Sequence, residues 1–112
     1  MRMWMLNPRM LCRKHLLGEH GELHKHRHNF VKRHSVTGRR GQIEPLAMQA
    51  RHDELAAEML ARGYNHKSPY EMPDLSHLPD CDRLGTVDRV ASLHLLTMVC
   101  ADCRARIAAA RK

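Results

Sequence analysis

No stretch of the 112 residues approaches the roughly 20 consecutive apolar residues that a membrane-spanning helix needs. The opening segment, Met1 to Leu11, is interrupted by Arg2, Asn7, Pro8 and Arg9, so it does not read as a signal peptide. The expectation is a soluble, cytoplasmic chain with no membrane partner. The length leaves no room for a separate cofactor domain, and a single compact domain over residues 1–112 is expected, without a cofactor. Acidic residues are also scarce. Twelve Asp and Glu face 19 Lys and Arg, a formal charge of +7 with histidine neutral, and the pI is about 9.8. Such a balance points to a polyanionic partner, and ten histidines would add positive charge on mild acidification. There is only one C-x-x-C, Cys100 to Cys103, and no second such pair to make a strong zinc signature. Cys81, Cys100 and Cys103 could hold zinc with His77 or His94. Cysteines at i and i+3 on a helix serve equally well as small core residues, and no metal is expected.

What is present is helical periodicity. From Arg9 to Arg33, following Pro8, the residues Leu11, His15, Leu16, Glu19, Leu23 and Phe30 recur largely at helical spacings. Gly18 and Gly21 each weaken that helix by about 1 kcal/mol relative to Ala and need a reason, such as close approach of a backbone or a ligand. Ser35 to Gly41 reads as an exposed basic loop. Pro45 opens a second helix with Leu46, Leu55, Met59 and Leu60 as its buried stripe and Gly63 as its stop. Tyr64 to Asp82, with Pro69, Pro73 and Pro79, reads as an ordered loop or series of turns. Thr86 is expected to cap a third helix from about Val87 to Ala110, with Val90, Leu93, Leu96, Cys100, Cys103 and Ile107 on one face. No strand-like alternation competes. The fold expected is all-α, three main helices with ordered loops around one core.

On the first helix His15, Glu19, Glu22 and His26 are separated by four, three and four residues, so their side chains rise along one face. Lys14, Lys25, Arg27, Lys32 and Arg33 surround them, a charge distribution that would draw a phosphate backbone to that face. Ordinary solvated ion pairs along a helix would show the same spacing. His20, His24 and His28 repeat at four-residue spacing on the outer side and suggest a transition metal, but nearby cations oppose one and no carboxylate or cysteine completes the set. Trp4, the only Trp, reads as a core anchor or as a wedge beside an unstacked base.

The run His15-Leu16-Leu17-Gly18-Glu19-His20-Gly21-Glu22-Leu23, followed by Val31-Lys32-Arg33-His34 and Gly38-Arg39-Arg40, resembles the first helix of the phage pyrimidine-dimer DNA glycosylases known as endonuclease V. Arg51-x-x-Glu54-Leu55-x-x-Glu58-x-x-x-Arg62-Gly63-Tyr64-Asn65-x-Lys67 is similar to the same family, and Asp74-Leu75-Ser76-x-Leu78-Pro79 continues the match. The matches come in the family's order and are clearest over residues 1–80. The resemblance implies an all-helical DNA repair fold acting on double-stranded DNA, a glycosylase with AP lyase activity. Its nucleophile would be the N-terminal amine and its essential carboxylate a glutamate of the first helix.

Carried over position by position, the resemblance makes the Met1 α-amine the nucleophile and Glu22 the catalytic carboxylate. Arg2, Lys25, Arg39 and Arg40 would hold phosphates, and His15 would orient the sugar or phosphate. A bulky Arg2 disfavours removal of the initiator methionine, in agreement with a register that places Met1 first. Gly21 and Lys25 stand where the family archetype carries arginines, and the aromatic-rich C-terminal tail tied to lesion recognition has no counterpart after Cys103. A monomer is expected. The alternative is a non-catalytic basic DNA-binding protein that keeps the same fold.

Overall fold

The computed structural model describes residues 2–34, 41–66 and 68–110, and every regular element among them is helical. Asn7 starts the first turn. Its side-chain oxygen accepts from the Arg9 amide at 3.1 Å and initiates a 3-10 turn, Pro8–Met10, in which proline loses nothing by lacking an N–H. Helix α1 follows, Arg13–Val31, with Cys12 in extended conformation at its N-cap. It buries Leu16, Glu19, Glu22, Leu23, His26 and Phe30 along one stripe. Another 3-10 turn, Pro45–Ala47, leads into α2, Met48–Ala61. Gly63, at φ 84°, ends α2 in a Schellman motif: its own N–H reaches Leu60 O at 3.0 Å and the Tyr64 N–H reaches Met59 O at 2.8 Å. The expected loop beyond Tyr64 is mostly irregular, with a short turn at 76–78, and among the described residues it contains one short helix, α3, Asp80–Arg83.

The third predicted helix is two helices, α4, Arg89–Val99, and α5, Ala101–Ala110. Cys100 leaves the helical region for one residue, with φ −133° and ψ 111°, and this shift in phase is why the anticipated single stripe does not form. Val90 is 79% exposed, Leu93 is half-buried, and α4 instead buries Ser92 and Leu96, whereas Cys103 and Ile107 of α5 are buried as expected. The cap is Asp88 rather than Thr86, its carboxylate accepting from the Ala91 N–H at 3.0 Å. Val87 is held outside the helix because its N–H donates to the buried Glu44 carboxylate at 2.8 Å. Of the expected second stripe, Leu55 and Met59 are buried, but Leu46 in the Pro45–Ala47 turn and Leu60 on α2 are each 58% exposed. Arg51 and His52 occupy the interior in their place.

Helix α1 packs on α2, α5 packs on α4, and α5 also lies against the Pro8–Met10 turn. That arrangement leaves the N-terminal segment between helices, and four hydrogen bonds fix its course. Arg51 Nη1 donates to Leu6 O at 2.6 Å, Arg62 Nη2 donates to Pro8 O at 3.1 Å and to Leu11 O at 2.7 Å, and the Met3 N–H donates to Gln42 O at 2.7 Å. Met5 adopts a left-handed conformation, φ 58°, which costs a non-glycine residue about 1–2 kcal/mol. It persists because its neighbours on both sides are anchored by these bonds. No helix among the described residues is long and apolar enough to cross a membrane.

Candidate active site

A pocket of about 250 Å³ opens where the N-terminal segment crosses the first half of α1, lined by Arg2, Trp4, Lys14, His15, Gly18, Glu19 and Glu22. The helical repeat explains the lining from α1: Lys14, His15, Gly18, Glu19 and Glu22 follow the i, i+3, i+4 pattern of one face. Gly18 has nothing within 4 Å of where a Cβ would stand, so no backbone approaches it. Its missing side chain widens the pocket. Gly21 is equally open but exposed and outside the lining.

The two carboxylates of the stripe have different surroundings. Glu19 accepts a two-pronged bond from Arg51, Nε to Oε2 at 2.6 Å and Nη2 to Oε1 at 2.9 Å, with both side chains buried. Its oxygens are committed to holding α1 on α2. Glu22 is also buried, 5% exposed, yet its Oε2 makes no hydrogen bond among the described residues. Among the described residues His26 Nε2 lies 3.8 Å from that oxygen, one helical turn on. A buried carboxylate oxygen without a donor is costly, and it is chemically available to whatever enters the pocket.

Arg2 completes the opposite wall. Its guanidinium lies 4.8 Å from the centre of the Trp4 ring and its Nη2 donates to the hydroxyl of Ser92 on α4. Its buried Nε has no hydrogen-bond partner among the described residues, which leaves a donor for an anionic group. Trp4 is partly buried against the core and meets His15 edge to face, with ring centres 5.7 Å apart, so it is a core anchor and a pocket wall at once. Burial, and after it the charge of Lys14, hold His15 below the ordinary imidazole range. Its ring is therefore neutral near pH 7.

Arg2, His15 and Glu22 thus share one pocket. Lys25 is exposed on α1, one turn beyond Glu22, and does not line it. Met1, Arg39 and Arg40 lie outside the described residues. Trp4, Lys14, Gly18 and Ser92 also shape the site or brace its arginine. Ser92 had no sequence signal, being one small polar residue in an apolar helix.

Two further clusters gather side chains that the sequence scatters. The Nε2 atoms of His20, His52 and His66 converge, at 3.2 Å from His20 to His52 and 2.9 Å from His20 to His66, while His24 and Tyr70 pack their rings alongside. His28, the third of the expected outer set, is exposed and takes no part in this convergence. The His52 Nε2 also stands 3.0 Å from the Ser68 carbonyl and its Nδ1 3.1 Å from Asp53 Oδ1, so both ring nitrogens face oxygens that can only accept. The second cluster is Cys12, His15, Cys100 and Cys103, whose ligand atoms all lie within 4.8 Å of one another. Cys81, grouped with Cys100 and Cys103 on sequence grounds, is exposed and outside it. The missed signal was Cys12-x-x-His15, the same spacing as Cys100-x-x-Cys103.

No curated protein and no solved structure matches the chain. The family model for pyrimidine dimer DNA glycosylase matches residues 1–72, the part that carries Arg2, His15, Glu19, Glu22, Arg51 and Arg62, and the chain belongs to that family.

Proposed function

We propose that this protein is a DNA glycosylase with AP lyase activity, acting on pyrimidine dimers or a related lesion in duplex DNA through the Met1 α-amine and Glu22. The observation that carries the reading is the pocket itself: a buried carboxylate with an unbonded oxygen faces the same space as the arginine covalently next to Met1. An α-amine has an unperturbed pKa of about 7.7–8.0, so a useful fraction is neutral near pH 7 without the shift that a lysine would need.

The amine attacks deoxyribose C1′, and the electron pair of the C1′–N bond leaves with the base. The sugar ring then opens to an imine between C1′ and the enzyme nitrogen. Glu22 stabilises the cationic sugar as charge develops, then helps to take a C2′ proton as the C3′–O bond breaks and the strand is cut. Hydrolysis of the imine restores the amine. Arg2, Lys25, Arg39 and Arg40 hold phosphates, and His15 presents a neutral ring to the sugar or its phosphate. At about 250 Å³ the pocket is smaller than the roughly 300–1,000 Å³ of a drug-sized ligand site, which suits a sugar and its phosphate better than two linked pyrimidines. Access to a sugar in a duplex requires local unstacking, which costs a few kcal/mol and costs least at a lesion.

Incision of dimer-containing duplex, compared between the unmodified protein and one acetylated at its N-terminus, tests the reading. Acetylation should abolish incision and leave salt-dependent DNA binding intact. Normal cutting by the acetylated protein overturns the assignment, and a protein that binds duplex but never cuts it in either form is the non-catalytic alternative.

A further inference from the structure

We propose that Cys12, His15, Cys100 and Cys103 bind a zinc ion in a closed tetrahedral site that staples the C-terminal helices to the start of α1. The evidence for the metal does not rest on the reaction proposed above, although His15 belongs to both sites. The first argument is distance. Tetrahedral zinc with Zn–S of about 2.3 Å and Zn–N of about 2.0–2.1 Å separates two sulfurs by about 3.8 Å and a sulfur from a nitrogen by about 3.5 Å. Cys12 Sγ lies 3.9 Å from Cys100 Sγ, and His15 Nδ1 lies 3.2 Å from Cys12 Sγ and 3.4 Å from Cys103 Sγ. The sulfurs of Cys12 and Cys100 are also far beyond the roughly 2.0 Å of a disulfide.

The second argument is how the backbone prepares the sulfurs. Cys12 is the N-cap of α1, and Cys100 is the single extended residue immediately before α5, so both i, i+3 pairs sit at helix starts, where peptide dipoles favour negative charge. The Cys12 N–H points at Cys103 Sγ at 3.2 Å and the Cys103 N–H at Cys100 Sγ at 3.4 Å. Amide donors aimed at sulfur are the outer contacts that steady zinc-bound thiolates. The break between α4 and α5 falls at one of the four ligands, Cys100, whose extended backbone precedes the helix that carries Cys103.

Zinc displaces the three thiol protons to solvent and takes the lone pair of His15 Nδ1. Coordination through Nδ1 leaves the Nε2–H of His15 as a fixed donor, and His15 is the one ligand that also lines the pocket. Two ligands, Cys12 and His15, fall within the family match at residues 1–72, and two, Cys100 and Cys103, fall beyond it. The metal would therefore join a segment outside the family pattern to the one that carries the site.

The test is cobalt substitution of the full chain, purified under reducing conditions. Replacement of zinc by Co2+ should give intense thiolate-to-cobalt charge-transfer absorption and tetrahedral visible bands. Those bands should persist in Cys81→Ser and His20→Gln and be lost or strongly weakened in Cys100→Ser and Cys103→Ser. Independently of any variant, zinc should shield Cys100 from alkylation in the wild-type protein, and a chelator should restore its reactivity and lower the melting midpoint. Cobalt binding without thiolate charge transfer overturns the proposal. So does metal binding that survives Cys103→Ser but is lost in His20→Gln, or a wild-type midpoint and Cys100 reactivity indifferent to the chelator.

Discussion

Glu19 and Glu22, one turn apart on α1, separate the work of holding the fold from the work of the site. Glu19 neutralises the buried Arg51, and removing its charge strands a guanidinium 2% exposed. Glu19→Gln should therefore cost about 3 kcal/mol in urea unfolding, near the low end for a broken buried pair, because Glu54 remains 3.7 Å from Arg51. Glu22→Gln should have the opposite profile. It removes a buried charge whose Oε2 holds no hydrogen bond among the described residues, so the urea midpoint should stay the same or rise, while incision falls by about 100-fold or more. Loss of stability in Glu22→Gln comparable to that in Glu19→Gln would remove the distinction. The sequence carried the two carboxylates and their shared face. It could not say which one was already spent, because the partner that spends it, Arg51, is 32 residues away.

At the scale of elements, periodicity was informative where one helix packs along its whole length and failed where tertiary contacts re-phase the chain. The first two helices and the glycine stop at Gly63 were legible for that reason. The split at Cys100 was not, since nothing local forbids a helix there and the residues beside Cys100, such as Cys12 at 3.9 Å between sulfurs, are 88 positions away in the chain. The glycines of α1 give a direct check on the pocket. Neither position has a neighbour within 4 Å of an added Cβ, so Gly18→Ala and Gly21→Ala should each stabilise the protein by about 0.5–1 kcal/mol. Only Gly18→Ala places its methyl in the pocket lining. It should slow incision while Gly21→Ala leaves it unchanged, as single-turnover kinetics would show. Equal rates for the two would mean that the pocket is not where the sugar sits.

At the scale of the whole molecule, the formal charge of +7 and the ten histidines set how the protein responds to its medium. Duplex binding should weaken steeply with salt, and replacing both Arg39 and Arg40 with Ala should reduce the slope of log affinity against log salt by about 2 if each contacts a phosphate. Acid should destabilise the fold. Burial first, then the neighbouring His52, His24 and His66, lower the pKa of His20 from 6.5 to about 4, and His24 is lowered by burial, then His52, His66 and Arg27. The unfolded chain then takes up protons before the native one, so stability is full above about pH 6.5 and falls as the pH drops towards 4. A urea midpoint that rises on acidification through that range would contradict the sign. If, as proposed, the pocket brings DNA to the N-terminal amine, borohydride reduction during reaction with duplex containing a dimer or an abasic site, followed by mass mapping of the trapped complex, should give a covalent adduct confined to the N-terminal peptide, on the Met1 nitrogen. No adduct from a protein with a verified free Met1 amine, or an adduct on a lysine instead, would contradict that proposal.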